Sequence, residues 1–324
     1  MPVSIIVTGV AGFIANKTAE FLLKAKKEVI GVDNLNDYYD VRIKNYRLKQ
    51  LKKYKNFKFF KLDIENKNSI EKIFKKNKVS AVINLAARAG VRYSLENPFV
   101  YVSTNTMGTL NLLDLCRQYK VKKFVLASTS SLYAGQKTPF TETLAVNTPI
   151  SPYAASKKGA EAMCYSYHYL YGIDVSIVRY FTVYGPAGRT DMSTLRFIKW
   201  IDEGTPINLF GDGSQSRDFT YVDDIAKGTI KALKKVGFEI INLGGGNNPV
   251  SLNYVISLME KYLGKKAKIN RKPFHKADVI STWADISKAA EILNWKPTVS
   301  LEQGIKNTVN WYLENKTWFK HVKV

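Results

Sequence analysis

Thr8-Gly9-Val10-Ala11-Gly12-Phe13-Ile14-Ala15 follows a short apolar run and opens a stretch with helical periodicity. Glycines at this spacing let the chain turn tightly and bring its backbone close to a pyrophosphate, which the N-terminus of the following helix stabilises. Ala15 stands where a third glycine often sits, and a methyl group there is compatible with helix–strand packing. Two glycines in a turn are weak evidence alone, but the next apolar run ends in Asp33, 21 residues after Gly12. A carboxylate there accepts hydrogen bonds from adenosine ribose hydroxyls and repels a 2′-phosphate, which favours NAD over NADP. The plainer alternative is that Asp33 opens the turn Asp33-Asn34-Leu35-Asn36-Asp37.

Outward from this loop, the first 180 residues alternate apolar runs with helical segments. Ile5–Thr8, Val29–Val32, Phe57–Leu62, Ala81–Ala86, Phe124–Ser128 and Val175–Phe181 read as strands, and 13–25, 40–53, 67–77, 99–119 and 153–171 as helices. The runs are continuously apolar, as parallel strands covered on both faces require. The expected fold is α/β, a Rossmann-like doubly wound parallel sheet, with 1–182 as an NAD-binding domain. Beyond 182 the rhythm breaks into shorter, glycine-punctuated elements. A helix is expected from Ser251 to Gly264, and another from the capping box Ser300-Leu-Glu-Gln303 to near Asn315. Residues 183–324 are expected to form mainly a smaller α/β substrate lobe, with some chain returning to the first domain. Asp63, at the end of the third strand, is placed either to meet an adenine amino group or to cap the next helix.

The composition narrows the function classes. Of the residues, 45% are hydrophobic and 23% charged, an ordinary globular balance that excludes wholesale disorder. No apolar run approaches the roughly 20 residues of a membrane span, and the N-terminus lacks the basic region of a secretory signal. Cys116 and Cys164 have no metal or redox spacing and read as reduced core or interface thiols of a cytoplasmic protein. No metal site is expected, since His168 and His321 have no partners at ligand spacing. Lys+Arg 49 against Asp+Glu 27 leaves a net charge of +22. The lysines are thickest in 44–78, where they alternate with apolar residues and read as solvated helix faces. Without a nucleic-acid-binding motif, the charge implies only weak, non-specific attraction to polyanions and a favourable field for an anionic substrate.

Tyr153-Ala-Ala-Ser-Lys157 puts a phenol and an ammonium at i and i+4, on one helix face. A nearby ammonium is expected to lower the phenol's pKa and make the phenolate a base near neutral pH. Just upstream, the fifth strand ends in Ser128-Thr129-Ser130-Ser131-Leu132-Tyr133, hydroxyls emerging where open sheets bind ligands.

These motifs resemble the extended short-chain dehydrogenase/reductases, the group of NAD-dependent nucleotide-sugar epimerases and dehydratases. Thr8–Ile14 resembles its TGxxGFI loop, Asn84-Leu-Ala-Ala87 its fourth-strand end, Tyr153–Lys157 its YxxxK pair, and Arg217–Asp224 its RDFxYVDD segment. The likeness runs end to end. Within the group it is to the UDP-glucuronate 4-epimerases, carried by Gly31–Asp40, Ala89–Pro98, Arg179–Pro186 and Gly188-Arg189. Departures are Ala15 for glycine, Asn84 for histidine, Ala187 for tryptophan, and His275-Lys-Ala-Asp278 for a QPGD-like segment. The last two bear on substrate identity and leave a neutral UDP-sugar open.

The resemblance implies a redox-neutral inversion at C4 of a UDP-sugar. It assigns Tyr153, Lys157 and Thr129 to catalysis, and Gly9, Gly12, Phe13, Ile14, Asp33, Asn34, Asp63, Ile64, Leu85, Ala86 and Ala87 to NAD, together with Tyr153 and Lys157. To the substrate it assigns Arg92, Ser130, Ser131, Thr182, Arg189, Arg217 and Asp278, with Tyr93 and Ser94 in the same sugar-side loop. Ser131, Thr182 and Arg189 would grip a uronate carboxylate, the guanidinium bidentately; otherwise Arg189 is a solvent-facing loop charge. Arg217 would meet the diphosphate, or else pair with Asp218 or Asp223. Dehydratases and decarboxylases of the group carry carboxylates after the threonine, where this chain has Ser130 and Ser131. The apolar and aromatic content of 99–119 and 153–171, including Leu110, Leu112, Leu113, Met163, Tyr165, Tyr167 and Tyr169, implies a four-helix homodimer interface.

Overall fold

In the computed structural model, which describes residues 2–246, 249–274 and 279–324, the six apolar runs form parallel strands. They are β1 (Val3–Thr8), β2 (Glu28–Asp33), β3 (Phe57–Lys61), β4 (Lys78–Asn84), β5 (Lys123–Thr129) and β6 (Asp174–Tyr180). A seventh, Phe238–Leu243, comes from the C-terminal half and pairs in parallel with β6, so the order across the sheet is 238–243, β6, β5, β4, β1, β2, β3. The chain winds outward in both directions from β1 and β4, whose ends pair at Thr8 and Asn84. That reversal opens a crevice at the carboxyl ends of the strands, where doubly wound sheets hold ligands.

Successive residues of each strand serve opposite layers. Ile5, Val7, Val29, Ile83 and Val125 pack with Ala15, Ala19 and Leu22 of the helix Phe13–Lys24 and with Ile225 of Val222–Lys231. Ile6, Ile30, Val82, Phe124 and Leu126 pack on the other face with Ile70, Ile73, Leu112, Leu113, Cys116 and Cys164. Each such side chain contributes about 1.5–3 kcal/mol on burial, which keeps the central strands continuously apolar, whereas the edge strand β3 exposes Lys58, Phe60 and Lys61. Both cysteines are buried free thiols, and burial pushes each above its ordinary pKa. Leu112 and Leu113 therefore belong to this core and not to an external face.

The expected helix 99–119 is interrupted. Phe99–Tyr101 and Gly108–Gln118 are α-helical, and Val102–Met107 between them is π-helical, a wide turn that re-aims side chains. In the C-terminal half, Ser193–Glu203, Leu252–Leu263 and Leu301–Phe319 surround a second core. Ser251 and Ser300 cap their helices, and Gly264 closes the first in a left-handed conformation. The last helix runs past Asn315 to Phe319 because its end is packed: the Trp318 ring stacks 4.9 Å from that of Tyr46, and Phe319 is fully buried. Among the described residues no helix is long and apolar enough to cross a membrane.

Candidate active site

A cavity of about 510 Å³ runs from the glycine loop along the ends of β1, β4 and β5 to Arg217, Val279 and Thr282 of the C-terminal half. Gly9 has φ +65°, and a Cβ there would lie 2.8 Å from the Ala86 backbone; one at Gly12 would lie 2.8 Å from the Gly9 carbonyl. The loop is thus closed to side chains and open to a ligand phosphate, the fit that a dinucleotide pyrophosphate needs. Asp33 is buried, and its carboxylate accepts from Ala11 N–H at 3.0 Å and Leu35 N–H at 2.8 Å. It therefore shapes the loop as well as facing the cavity. Asp63 accepts from Asn34 Nδ2 at 2.7 Å and from Glu65 N–H. It does not cap the next helix: that cap is Asn66, which accepts from Ser69 N–H at 3.0 Å. Phe13, Ile14, Asn34, Ile64, Leu85, Ala86 and Ala87 all line the same end of the cavity. At the departure Asn84, the side chain joins strands and helix, accepting from Thr8 Oγ1 at 2.7 Å and donating to Thr109 Oγ1 at 2.9 Å.

Thr129, Ser130, Ser131, Tyr153 and Lys157 converge on one wall. Ser151 and Pro152 start the helix Pro152–Tyr171, which projects Tyr153 and Lys157 from one face. Thr129 Oγ1 donates to Ser131 Oγ and accepts from Ser131 N–H, both at 3.1 Å, fixing the turn that follows β5. Lys157 is buried, its Nζ donating to the Ala127 carbonyl at 2.9 Å; burial pushes its pKa down to about 8 against the upward pull of Glu161. The expected lowering of the Tyr153 phenol by this ammonium is not what the structure gives. Burial raises the phenol's pKa, and the opposing influences come from the Thr129 hydroxyl and the Arg189 charge. The ammonium donates to the strand carbonyl and is not among the groups that lower the phenol.

Three expectations about the substrate end change. Arg189 lines the cavity with Thr182 and Arg217, but its Nε donates to Asp191 Oδ1 at 2.9 Å, Nη2 bonds Asp191 Oδ2, and Nη2 also reaches the Ala89 carbonyl at 3.2 Å. Burial opposes its charge, yet Asp191 more than compensates and the net pKa is raised. A bidentate grip on a second carboxylate is therefore already taken. Arg92 is exposed and outside the cavity wall, stacked 4.1 Å over the Phe210 ring; Tyr93 packs on Tyr38, and Ser94 is buried with its hydroxyl on the Val91 carbonyl at 2.6 Å. Arg217 Nη1 donates to the carbonyls of Ser216 at 2.8 Å and Ile280 at 3.2 Å. Asp218 accepts instead from the backbone of Gly246 and Ala284, and Asp223 faces Lys17. Asp278 lies outside the described residues.

The lysine-rich stretch also needs correcting. Lys44 and Arg47, on the helix Val41–Leu51, are buried, at 4% and 1% exposure. Lys44 lines the cavity, donates to the Asn36 carbonyl at 2.6 Å and sits over the Tyr39 ring; burial lowers its pKa to about 8. Arg47 donates to the carbonyls of Ala11, Ala187 and Gly188 and to Tyr39 OH. Arg88 lines the cavity too, its backbone clamped by Asn105 from the π-helical turn. The sequence signal for the first two was available: with Ile43, Leu48 and Leu51 they share the apolar face of their helix, where a solvated cation would not be placed.

The model of the GDP-mannose 4,6 dehydratase family matches residues 6–308. The chain belongs to that family, within the extended short-chain dehydrogenase/reductases. A relative from Thermodesulfobacterium geofontis described as a UDP-glucuronate 4-epimerase is 63% identical over 319 residues, covering 98% of this chain and 99% of the relative. A Bacillus cereus UDP-glucuronic acid 4-epimerase, solved with UDP-glucuronic acid and NAD, superposes with a TM-score of 0.90 at 38% identity, over 96% of this chain and 99% of that one. A Thermotoga maritima UDP-glucose 4-epimerase with UDP-glucose matches with a TM-score of 0.87 at 32% identity, over 97% and 99% of the two chains. The glycine loop, the Tyr153–Lys157 pair and the sheet order are thus set in the scaffold of the extended short-chain dehydrogenase/reductases.

Proposed function

We propose that the chain is an NAD-dependent isomerase that interconverts UDP-glucuronate and UDP-galacturonate by inverting C4 of the sugar. The observation that carries this reading is the hydroxyl-only wall beyond β5. Thr129, Ser130 and Ser131 face the cavity beside Tyr153 and Lys157, with no carboxylate among them to perform the acid–base steps of dehydration. The family model's description names a dehydratase, but the 63% identical relative is described as a 4-epimerase, and the serines agree with the latter.

NAD, held by the glycine loop, Asp33 and the strand ends, supplies reversible acceptance of the C4 hydride. Tyr153, as phenolate, takes the proton from the sugar O4 and returns it to O4 after the sugar has turned over, when the hydride comes back to the opposite face of C4. Thr129 orients O4 and, with the field of Arg189, favours the phenolate against the burial that resists it. Lys157 holds its position through Ala127 and, where it lines the cavity beside Tyr153, would meet the nicotinamide ribose. Between the two transfers the 4-keto sugar turns over about its diphosphate, for which Arg217 is the anchor. A 4-keto uronate loses CO2 when its C5–carboxylate bond aligns with the carbonyl π system, so the carboxylate must be restrained. Ser131, Thr182 and the Nη1 of Arg189 supply that restraint, as single hydrogen bonds instead of the bidentate grip that Asp191 pre-empts.

In this reading 1–182 carries the cofactor and 183–324 mainly the UDP-sugar, with 238–243 returning to the sheet. A second copy of the chain covers the exposed apolar residues Phe99, Val102 and Met107 together with Tyr165 and Tyr169 of the neighbouring helix, making a homodimer. Its buried, free cysteines suit the cytoplasm. One observation favours a neutral UDP-sugar instead: the Asp191 carboxylate beside Arg189. Incubation with UDP-glucuronate, followed by proton NMR, decides between them. UDP-galacturonate without released NADH or CO2 is the expected product. A pentose would indicate a decarboxylase, and turnover of UDP-glucose alone would assign the neutral substrate.

A further inference from the structure

Tyr153, Lys157 and Glu161 recur every fourth residue along the helix Pro152–Tyr171 and share one face. That face meets the end of β5 residue by residue. The Thr129 hydroxyl lies beside the Tyr153 phenol, Lys157 Nζ donates to the Ala127 carbonyl at 2.9 Å, and Ser128 Oγ donates to Glu161 Oε1 at 2.6 Å. Behind Glu161 stands Arg179, the β6 partner of Ser128 in the ladder. Its Nε donates to Oε1 at 2.9 Å and its Nη2 to Oε2 at 2.7 Å, while Nη1 donates to Tyr133 OH at 2.8 Å. Glu161 and Arg179 are 3% and 1% exposed, and neither lines the cavity. A buried ion pair contributes little net stability over apolar side chains of the same volume, so its place one turn behind Lys157 is the more informative fact.

We propose that Glu161, with Arg179 behind it, is a positioning residue for the reaction: its carboxylate keeps Lys157 cationic beneath Tyr153, and Arg179 limits how much negative charge reaches the lysine. This rests on the reading of Tyr153 and Lys157 as the catalytic pair. The titratable groups around the lysine are Tyr153, Glu161 and Cys164 on its own helix, Arg179 on β6 and Tyr133 after β5. From the helices packed alongside come Tyr101, its ring 6.0 Å from that of Tyr153, and Cys116, which shares a core cluster with Cys164; Arg189 acts on the phenol from the cavity. Of these, Glu161 exerts the largest pull on Lys157, upward against burial, followed by Cys164.

The test is a titration of Lys157 by NMR in the full-length enzyme labelled with [ε-13C]lysine, its resonance identified by loss in Lys157→Arg, alongside the pH dependence of kcat on UDP-glucuronate. Glu161→Gln should lower the Lys157 midpoint by about 1–2 pH units, the scale of one charge a helical turn away at a near-surface effective dielectric constant. The alkaline limb of kcat should move down with it, leaving the KM for UDP-glucuronate unchanged. Arg179→Lys, which keeps the cation, should retain the wild-type midpoint. The double variant Glu161→Gln/Arg179→Gln removes the ion pair as a unit, leaving no unpaired guanidinium, and keeps the test available if Glu161→Gln does not fold. Its midpoint should lie between those of the wild type and Glu161→Gln. An unchanged midpoint in either the single or the double Glu161→Gln variant, or a fall in kcat with no movement of the limb, overturns the proposal. A wild-type enzyme inactive on UDP-glucuronate would defeat the functional reading instead, while the NMR midpoints would still judge the role of Glu161.

Discussion

Replacing Arg47 with methionine tests how the cofactor loop is held to the substrate side. The guanidinium donates to the carbonyls of Ala11 at 3.0 Å, Ala187 at 2.8 Å and Gly188 at 2.7 Å, and to Tyr39 OH at 2.9 Å. Each hydrogen bond to a charged group contributes about 1.5–3 kcal/mol, and a buried carbonyl left without its donor is costly in itself. Relief of the guanidinium's own desolvation offsets part of this, so a net destabilisation of about 3–5 kcal/mol is expected. For 324 residues, an unfolding entropy of about 2.1 cal/mol/K per residue converts that to a Tm lower by about 4–7 °C. Scanning fluorimetry reads it directly. Because Ala11 belongs to the glycine loop, the variant should also lose NAD more readily on dialysis, measured as cofactor released on denaturation. Lys49→Met, at an exposed site on the same helix, is the control and should leave Tm unchanged. A shift below about 1 °C for Arg47→Met, or an equal shift for both variants, would refute the argument that these bonds clamp the loop.

Three further outcomes are expected. Arg189→Ala should cost kcat/KM for UDP-glucuronate about 10- to 150-fold more than for UDP-glucose, the worth of one charged hydrogen bond, on top of a loss common to both sugars as the phenolate loses the Arg189 field. Equal losses on both sugars would mean that the residue does not restrain the carboxylate. Burial raises Asp218 to about 6, against about 3.9 for an unfolded carboxyl. Between those values the folded state binds more protons, so Asp218 makes stability fall as pH rises through that window. The stability advantage of wild type over Asp218→Asn should accordingly shrink from pH 4 to pH 6 in urea unfolding, and a constant difference would exclude this linkage. Phe99→Lys combined with Tyr169→Lys, at positions 83% and 76% exposed, should convert a dimer to monomer in sedimentation velocity; an unchanged sedimentation coefficient would put the interface elsewhere.

The strands of the first half were legible because a strand covered on both faces has no polar positions, and Ile5, Ile6 and Val7 show this in consecutive residues. Phe238–Leu243 was not, since its membership in the sheet depends on pairing with β6 across more than fifty residues of intervening chain. Glycine spacing and hydroxyl clusters located the cavity, and every expected cofactor residue lines it. What the sequence concealed were the partners. The motifs alone do not say that Arg189 turns to Asp191 two residues on, that Lys157 answers to the Ala127 carbonyl, or that Asn66 and not Asp63 caps the helix. Lys44 and Arg47 were hidden among lysines that do face water, and only their place on the apolar face of the helix sets them apart.

The two backbone amides on Asp33 bear on how this site can change. A single carboxylate holds Ala11 and Leu35 in place and, on the proposed reading, is also the group that would repel a 2′-phosphate. A substitution that admitted NADP would also release these two donors, the Ala11 one buried, and let the pyrophosphate loop drift, so the chain would lose its grip on either cofactor before gaining the new one. Cofactor preference here is mechanically coupled to loop shape, and a switch would need at least one simultaneous replacement that re-anchors Ala11.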